Sequence, residues 1–168
     1  YDTRSTKTYF LNPKTGESKE IAERNYQDVY ADPGNFQTDK NEFGQYVISI
    51  KNGKAHLIGD GFTKDGQFPF IDEFDFKNFQ TKRLYTSKTP NVKEDIIDII
   101  DANKGTVLVT QQSKNQYPNY FVRNIKNNKA EAVTQFANPF ASISTIHKEV
   151  IKYKRNDGVE LKGTLYLP

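Results

Sequence analysis

The sequence lacks cysteine, methionine and tryptophan, and it contains only two histidines. Without cysteine, the chain cannot form disulfides or thiolate metal sites. No apolar run approaches the ~20 residues that a helix needs to cross a bilayer, and the sequence shows no signal peptide. Because the chain has no initiating methionine and begins in strand-like sequence, we expect both ends to be processing boundaries rather than natural termini.

The charge of the chain is nearly balanced, with 24 basic residues against 21 acidic ones and a net charge of +3. The lysines are scattered through turns instead of being clustered on one segment. A nucleic-acid-binding domain usually carries a concentrated basic face. We therefore expect no nucleic-acid partner.

Aromatic residues are abundant for a chain in which only 35% of residues are apolar. Ten tyrosines and twelve phenylalanines bring the aromatic fraction to 13%. Aromatic side chains bury large areas and are favoured in strands. The composition therefore favours an all-β fold over a helical or disordered chain.

Short strands separated by turn residues run through the whole sequence. The clearest hairpin surrounds Asn156-Asp157-Gly158, between strands predicted at 149–155 and 159–167. On the second of these strands, apolar residues alternate with polar ones and share one face with Gly163. The apolar positions are Val159, Leu161, Leu165 and Leu167.

A four-stranded unit occurs twice, which is typical of β-propeller blades that repeat at ~40–50 residues. The first copy is predicted to have strands at 35–39, 45–50, 70–76 and 80–86, with the segment Lys54–Gly59 inserted as a hairpin strand. The second copy is predicted to have strands at 96–101, 106–111, 119–125 and 130–134. Residues 7–22 are predicted to form a hairpin from an earlier blade. The expected fold is all-β, with antiparallel four-stranded blades of a partial propeller and a C-terminal hairpin.

The final hairpin, EVIKYKRNDGVELKGTLYLP at 149–168, resembles the start of the hydrolase domain in serine peptidases of the prolyl oligopeptidase family. Three further segments resemble motifs of the glutamyl endopeptidase subgroup: DVYADPG at 28–34, PFIDEFD at 69–75 and PNYFVR at 118–123. The resemblance implies a propeller that caps an α/β-hydrolase domain and gates the access of peptides to it.

This resemblance also implies a division of the chain into four parts. Residues 1–34 would form the outer part of a blade and a connecting loop, and 35–95 a blade with an inserted hairpin. Residues 96–147 would form the last blade and a linker, and 148–168 the first hairpin of the hydrolase domain. The partners expected from the family are that hydrolase domain and peptide substrates.

Catalytic residues are not expected in this chain. The family's Ser, Asp and His would lie downstream, and no Gly-x-Ser-x-Gly nucleophile elbow is present. We therefore expect the chain alone to be inactive, although its parent would be a serine peptidase. No cofactor or metal is expected, because His56 and His147 form no ligand pair. The acidic residues Asp72, Glu73 and Asp75 alternate along one strand, which does not suit calcium.

Four residues are candidates for substrate binding: Arg24, Asp28, Tyr30 and Asp32. They bracket a turn-rich aromatic stretch whose charges could orient a peptide terminus or an acidic side chain. The alternative is a turn in which Asp28 and Asp32 accept hydrogen bonds from their own backbone. Lys82, Arg83 and Arg123 are further basic candidates, with solvated strand faces as the alternative.

A second function remains open at this level, namely a stand-alone all-β module that recognises a protein or a glycan. In either case, exposed blade edges favour self-association. A removed signal peptide would fit a periplasmic or secreted protein.

Overall fold

The computed structural model describes residues 4–143 and 146–167, and it is all-β with antiparallel sheets. The strands are β1 Ser5–Leu11, β2 Ser18–Asn25, β3 Asn35–Phe36, β4 Thr38–Lys40, β5 Tyr46–Ile48, β6 Lys54–Gly59, β7 Phe62–Thr63, β8 Gly66–Gln67, β9 Phe70–Asp75, β10 Gln80–Thr86, β11 Lys93–Asp101, β12 Thr106–Ser113, β13 Gln116–Asn124, β14 Lys129–Ala132, β15 His147–Lys154 and β16 Glu160–Leu167. Two single turns of 3₁₀ helix, Val29–Ala31 and Ala141–Ile143, complete the described part. No helix in these residues has the length and apolarity to cross a membrane.

The first sheet has four antiparallel strands in the order β3-β6-β9-β10. Its register places Leu57 of β6 and Arg83 of β10 on either side of Asp72 in β9. Two small hairpins, β4–β5 and β7–β8, interrupt the connections between its strands. The strands predicted at 70–76 and 80–86 are confirmed.

One prediction for this sheet is wrong, because Lys54–Gly59 is not an insertion. This segment is β6, which pairs with both β3 and β9, whereas Tyr46–Ile48 belongs to the inserted hairpin. Asn52 and Gly53 do form the expected tight turn, with positive φ at both residues. Burial explains why β6 joins the sheet and β5 does not. Alternate residues of β6 are buried, whereas all three residues of β5 are exposed.

The second sheet is a meander in which β11, β12, β13 and β14 pair in chain order. Its four strands correspond to those predicted for the second repeat, although β11 begins at Lys93 and β13 at Gln116. The β-branched residues near Ile96 favour a strand over a helix there. Register shifts in β11 mark β-bulges on either side of Asp98 and Ile99.

The main core lies between the two sheets. Ile71 of the first sheet packs with Ile96, Val107 and Val109 of the second, and all four are buried. Partly buried side chains from both sheets surround them: Ile58, Leu84, Tyr85, Ile99, Phe121 and Ile125. The two sheets therefore pack face to face, which is how sheets with one apolar face each exclude water.

The opposite face of the first sheet is covered by aromatic rings. Phe74 lies with its ring centroid 5.5 Å from that of Phe36 and 4.9 Å from that of Phe76. Phe10 of β1 adds to this cluster, 5.8 Å from Phe76 and 5.6 Å from Phe79. The hairpin β1–β2, the first sheet and the second sheet thus form successive layers.

A buried polar network also joins the sheets. The Glu94 carboxylate on β11 accepts hydrogen bonds from Arg123 at 2.8 Å, from Gln111 at 2.7 Å and from the Tyr85 hydroxyl at 2.7 Å. Tyr85 belongs to the first sheet, so the network crosses the interface. Burial, reinforced by the hydrogen bond to Glu94, raises the pKa of Tyr85 above its usual range, which keeps the phenol protonated as a donor.

The final hairpin β15–β16 forms as predicted, and its residues pair from His147–Leu167 to Lys154–Glu160. Every residue of β15 is exposed, as are Leu165, Tyr166 and Leu167 of β16. The apolar side chains of this hairpin therefore find no core among the described residues.

We expect the chain to self-associate through this hairpin, because Val159, Leu165 and Leu167 are exposed and complete burial of such a side chain contributes up to about 1.5–3 kcal/mol. Light scattering over a range of concentrations should show a mass that rises above 19.3 kDa. Replacing Leu165 and Leu167 with serine should restore the monomer. A wild-type chain that stays monomeric while the amides of β15 and β16 exchange slowly would contradict this expectation.

Candidate functional site

The loop that follows β2 is organised by Arg24. Its guanidinium forms an ion pair with the Asp32 carboxylate at 2.9 Å. The same group donates to the backbone carbonyl oxygens of Asn25, Tyr26 and Asp28, each at 3.4 Å. Arg24 is only partly exposed, and its contacts link several parts of the loop. It therefore stabilises the conformation of the loop.

The two aspartates of the loop hold its backbone. Asp28 caps the 3₁₀ turn by accepting a hydrogen bond from the Tyr30 amide at 3.0 Å, and Asp32 accepts one from the Gly34 amide at 2.9 Å. These are the local turn contacts that the alternative interpretation expected. Gly34 has φ +83° and lies against the backbone of Ile58, so that a Cβ would collide there. The loop is thereby fixed against β6.

Of the four candidates, Asp28 and Tyr30 are exposed to solvent, and Tyr30 is 64% exposed. It borders a groove of about 580 Å³, which we call the aromatic groove. The groove is lined by Tyr30, Gly61, Phe62, Thr63, Asp65, Phe68, Phe70, Arg83, Thr86 and Lys88. The structure thus joins Tyr30 to two distant segments, 61–70 and 83–88.

Arg83 forms part of the groove wall and is tightly held. Its guanidinium lies 3.7 Å from the Phe70 ring centroid, which is a cation–π contact. It also forms a bidentate ion pair with Asp72 and donates to the Thr86 hydroxyl at 3.3 Å. Because Asp72 neutralises Arg83, Lys88 and Asp65 are the charged groups that remain to face the groove.

The chemistry of the aromatic groove is that of binding. Flat aromatic walls offer stacking and apolar contact, and one ammonium and one carboxylate offer hydrogen bonds of opposite polarity. An extended peptide, with both donors and acceptors along an apolar stem, is suited to such a surface. None of the lining residues is arranged as a nucleophile with a base.

The other sequence candidates separate in the structure. Glu73 pairs with Lys54 at 2.6 Å and Asp75 caps the Lys77 amide, so the acidic run of β9 points to different partners. The prediction that Arg123 could face an acidic substrate is wrong, because Arg123 is buried against Glu94. Among the described residues, no group of three His, Cys, Asp or Glu could hold a metal ion.

Sequence reasoning missed Phe62, Phe68 and Lys88 as partners of Tyr30. Phe62 lies on β7, Phe68 follows β8, and Lys88 follows β10, all more than thirty residues away along the chain. The only local signal was the glycine-rich stretch at 59–66. There Gly61 has φ +64° and sits against the backbone of Phe68, where a side chain would clash.

Comparison with known proteins gives two plant relatives. The chain is 30% identical to a protein named probable glutamyl endopeptidase, chloroplastic, from Oryza sativa subsp. japonica, and 30% identical to one of the same name from Arabidopsis thaliana. All of this chain is covered in both comparisons, but only 20% and 19% of the relatives. No protein-family model and no solved structure matches.

The names of both relatives describe them as chloroplastic, which contradicts the expected periplasmic or secreted location. That expectation depended on a signal peptide outside the sequence and had no support in the residues themselves. The chain spans about a fifth of the length of these relatives. Over its whole length it is similar to one region of proteins named as peptidases.

Proposed function

We propose that the chain is the non-catalytic, last part of a β-propeller from a serine peptidase of the prolyl oligopeptidase family, in the glutamyl endopeptidase subgroup. The observation that carries this proposal is the stacking of two four-stranded antiparallel meanders, face to face, behind a third hairpin layer. Neighbouring propeller blades pack in this way. The names of the two relatives support the peptidase assignment.

The proposed division of the chain is the one that the family resemblance implies. Residues 1–34 supply the outer strands of one blade and the Arg24 loop, 35–95 and 96–147 supply two blades, and 148–168 begin the hydrolase domain. The exposed hairpin β15–β16 supports this, since its apolar side chains would be buried on that domain. The blades would restrict access to the active site by size.

Within this assembly, we assign the aromatic groove to peptide contact, with Tyr30 as the residue that meets the substrate. Arg24, Asp28 and Asp32 hold the loop that presents it. They are positioning residues in this proposal, because each side chain makes a hydrogen bond or an ion pair within the loop.

The test uses the full-length protein and a chromogenic peptide with glutamate before the scissile bond. Tyr30→Ala should raise KM about 2- to 10-fold and leave kcat unchanged, because an aromatic contact made equally in ground and transition state contributes about 0.5–1.5 kcal/mol. The matched control is Tyr46→Ala, since Tyr46 is 69% exposed on the β4–β5 hairpin. It should leave both constants unchanged.

The 168-residue chain alone should hydrolyse nothing, and turnover that persists through repurification would contradict the proposed role. A full-length protein without peptidase activity would instead favour the stand-alone binding module. Equal effects of Tyr30→Ala and Tyr46→Ala would remove the assignment of the aromatic groove while leaving the family proposal standing.

A further inference from the structure

A second cleft opens between the two sheets, at the end of the first sheet opposite the aromatic groove. Two adjoining cavities of about 750 and 400 Å³ share Lys51, His56 and Ala102. We call the larger one the lysine cleft. It is lined by Lys51, Asn52, Lys54, His56, Glu73, Leu84, Ala102, Asn103, Ile125 and Lys126. Its volume falls within the range of small-molecule sites, roughly 300–1,000 Å³.

The register of the first sheet separates this cleft from the aromatic groove. Lys54 pairs with Asp75 at one end of β6, and Gly59 pairs with Phe70 at the other. Five residues at about 3.3 Å each place the two ends about 16 Å apart. The lysine cleft is therefore a separate surface that the proposed peptide contact does not use.

The charge of the lysine cleft is positive, with three lysines against one carboxylate. Glu73 is paired with Lys54 at 2.6 Å. The Lys126 ammonium donates to the backbone oxygen of Asn103, and among the described residues neither Lys126 nor Lys51 has a carboxylate partner. Lys51 and Lys126 come from turns of different sheets, so two uncompensated ammonium groups border the cavity from opposite sides.

His56 lies on the first-sheet wall of the cleft, partly buried. Burial lowers its pKa, Glu73 opposes that shift, and Lys51 and Lys54 add to it. Lys126 also borders this cavity, and Asp39 and Asp98 border the adjoining one. These two aspartates accept hydrogen bonds from Ser49 at 2.5 Å and from Gln37 at 3.2 Å, which are neutral donors, so both carboxylates keep their charge. An imidazole without charge can still donate one hydrogen bond.

We propose that the lysine cleft binds a small molecule that carries a phosphate group, held between Lys51 and Lys126 with His56 as a further donor. Lysine ammonium groups act as point charges without the planar fork that arginine offers to carboxylates. They suit the tetrahedrally arranged oxygens of a phosphate group, which can be approached from several sides. The lining of the lysine cleft itself has an excess of two positive charges, which attracts such an anion.

Pyrophosphate is the probe, added to ¹⁵N-labelled chain while amide shifts are followed by NMR. Saturable shifts should be confined to residues 51–56, 102–103 and 125–126. The same titration with succinate should give binding at least about tenfold weaker, because two separated planar carboxylates do not match the site. The bound anion should also raise the pKa of His56, read from its imidazole proton resonance, since an anion favours the charged ring.

Two variants with the same net charge separate the cleft from general attraction to a basic protein. Lys51→Gln with Lys126→Gln should weaken pyrophosphate binding about tenfold or more. Lys14→Gln with Lys64→Gln removes two lysines from exposed turns outside the cleft and should leave the affinity unchanged. Both should unfold at the wild-type temperature.

Three results would overturn the proposal. One is the absence of saturable shifts at pyrophosphate concentrations on the order of 10 mM, well above the range expected for a specific site. Another is an equal loss of affinity in the two double variants, which would mean nonspecific attraction. The third is succinate binding as tightly as pyrophosphate, which would assign the cleft to carboxylates.

Discussion

Arg123→Met is expected to lower the free energy of unfolding by about 3–5 kcal/mol, because it leaves the Glu94 carboxylate buried without its cation. The Arg123 and Glu94 side chains are 4% and 0% exposed, and their charged atoms lie 2.8 Å apart. Neither Gln111 nor Tyr85, which also donate to Glu94, carries a positive charge. Urea unfolding followed by circular dichroism measures the change.

The matched control is Arg83→Met, which removes the same side chain from a more exposed pair. The Arg83 side chain is 48% exposed, and that of its partner Asp72 is 13% exposed. An ion pair near the surface contributes about 0–1 kcal/mol, and the lost stacking on Phe70 adds about 0.5–1 kcal/mol. Arg83→Met should therefore cost about 0.5–2 kcal/mol, less than Arg123→Met.

The double variant Glu94→Leu with Arg123→Met distinguishes the loss of the ion-pair interaction from the cost of leaving the Glu94 carboxylate buried and unpaired. Replacing both partners with apolar side chains of similar volume should recover part of the stability lost in Arg123→Met, and the remainder stays lost because the Gln111 amide and the Tyr85 hydroxyl lose their acceptor. If the double variant is as unstable as the single one, packing around Arg123 and its contact with Asn128 would explain the loss instead.

The sequence predicted the strands of the second sheet and of the final hairpin because turn residues and alternation mark both. Asn156-Asp157-Gly158 and the apolar positions of β16 are local signals, and the pairing of β15 with β16 is local as well. The first sheet was harder, since two hairpins interrupt it. Tyr46–Ile48 is as apolar as Lys54–Gly59, so propensity could not tell which of them joins the sheet.

For the candidate site, the sequence predicted only the contacts between residues that are close along the chain. Asp28 and Asp32 lie close to the amides that they cap, so their turn contacts follow from the sequence. The neighbours of Tyr30 come from segments that only the pairing of β6, β9 and β10 brings together. Arg123 was placed wrongly for a related reason. From sequence alone, a basic residue on a strand is expected to face solvent or a ligand. The buried partner of Arg123, Glu94, lies 29 residues away along the chain and has no local signal.

The lysine cleft illustrates the same limit at the interface between sheets. Lys51 and Lys126 each belong to a polar turn, which is where solvated lysines are expected. Their approach depends on the face-to-face packing of Ile71 on Val107 and Val109. The lysine cleft and the core therefore both depend on the packing between the two sheets. A substitution that weakens this packing should change the shape of the cleft and the stability of the core.

Ile71→Ala is expected to cost about 2–5 kcal/mol, because it opens a cavity at the centre of the core between the sheets. The Ile71 side chain is 1% exposed and packs against Ile96, Val107 and Val109. Stabilities of single domains are about 5–15 kcal/mol, so this loss should shift the urea midpoint strongly. Ile100→Ala is the control, since Ile100 is 55% exposed on β11 and should change the stability by no more than about 0.5 kcal/mol.

Amide exchange of Ile71→Ala tests whether the two sheets unfold as one cooperative unit. Ile71 lies in the first sheet, yet its removal should speed the exchange of Val107 and Val109 amides in the second, because both sheets bury the same core. The Tyr85–Glu94 hydrogen bond across the interface should open in the same step. If protection falls only in β6, β9 and β10 while β12 and β13 stay unchanged, the sheets are independent units. In that case the lysine cleft would lie between two bodies that can separate, and its two lysines would not be held at a fixed distance.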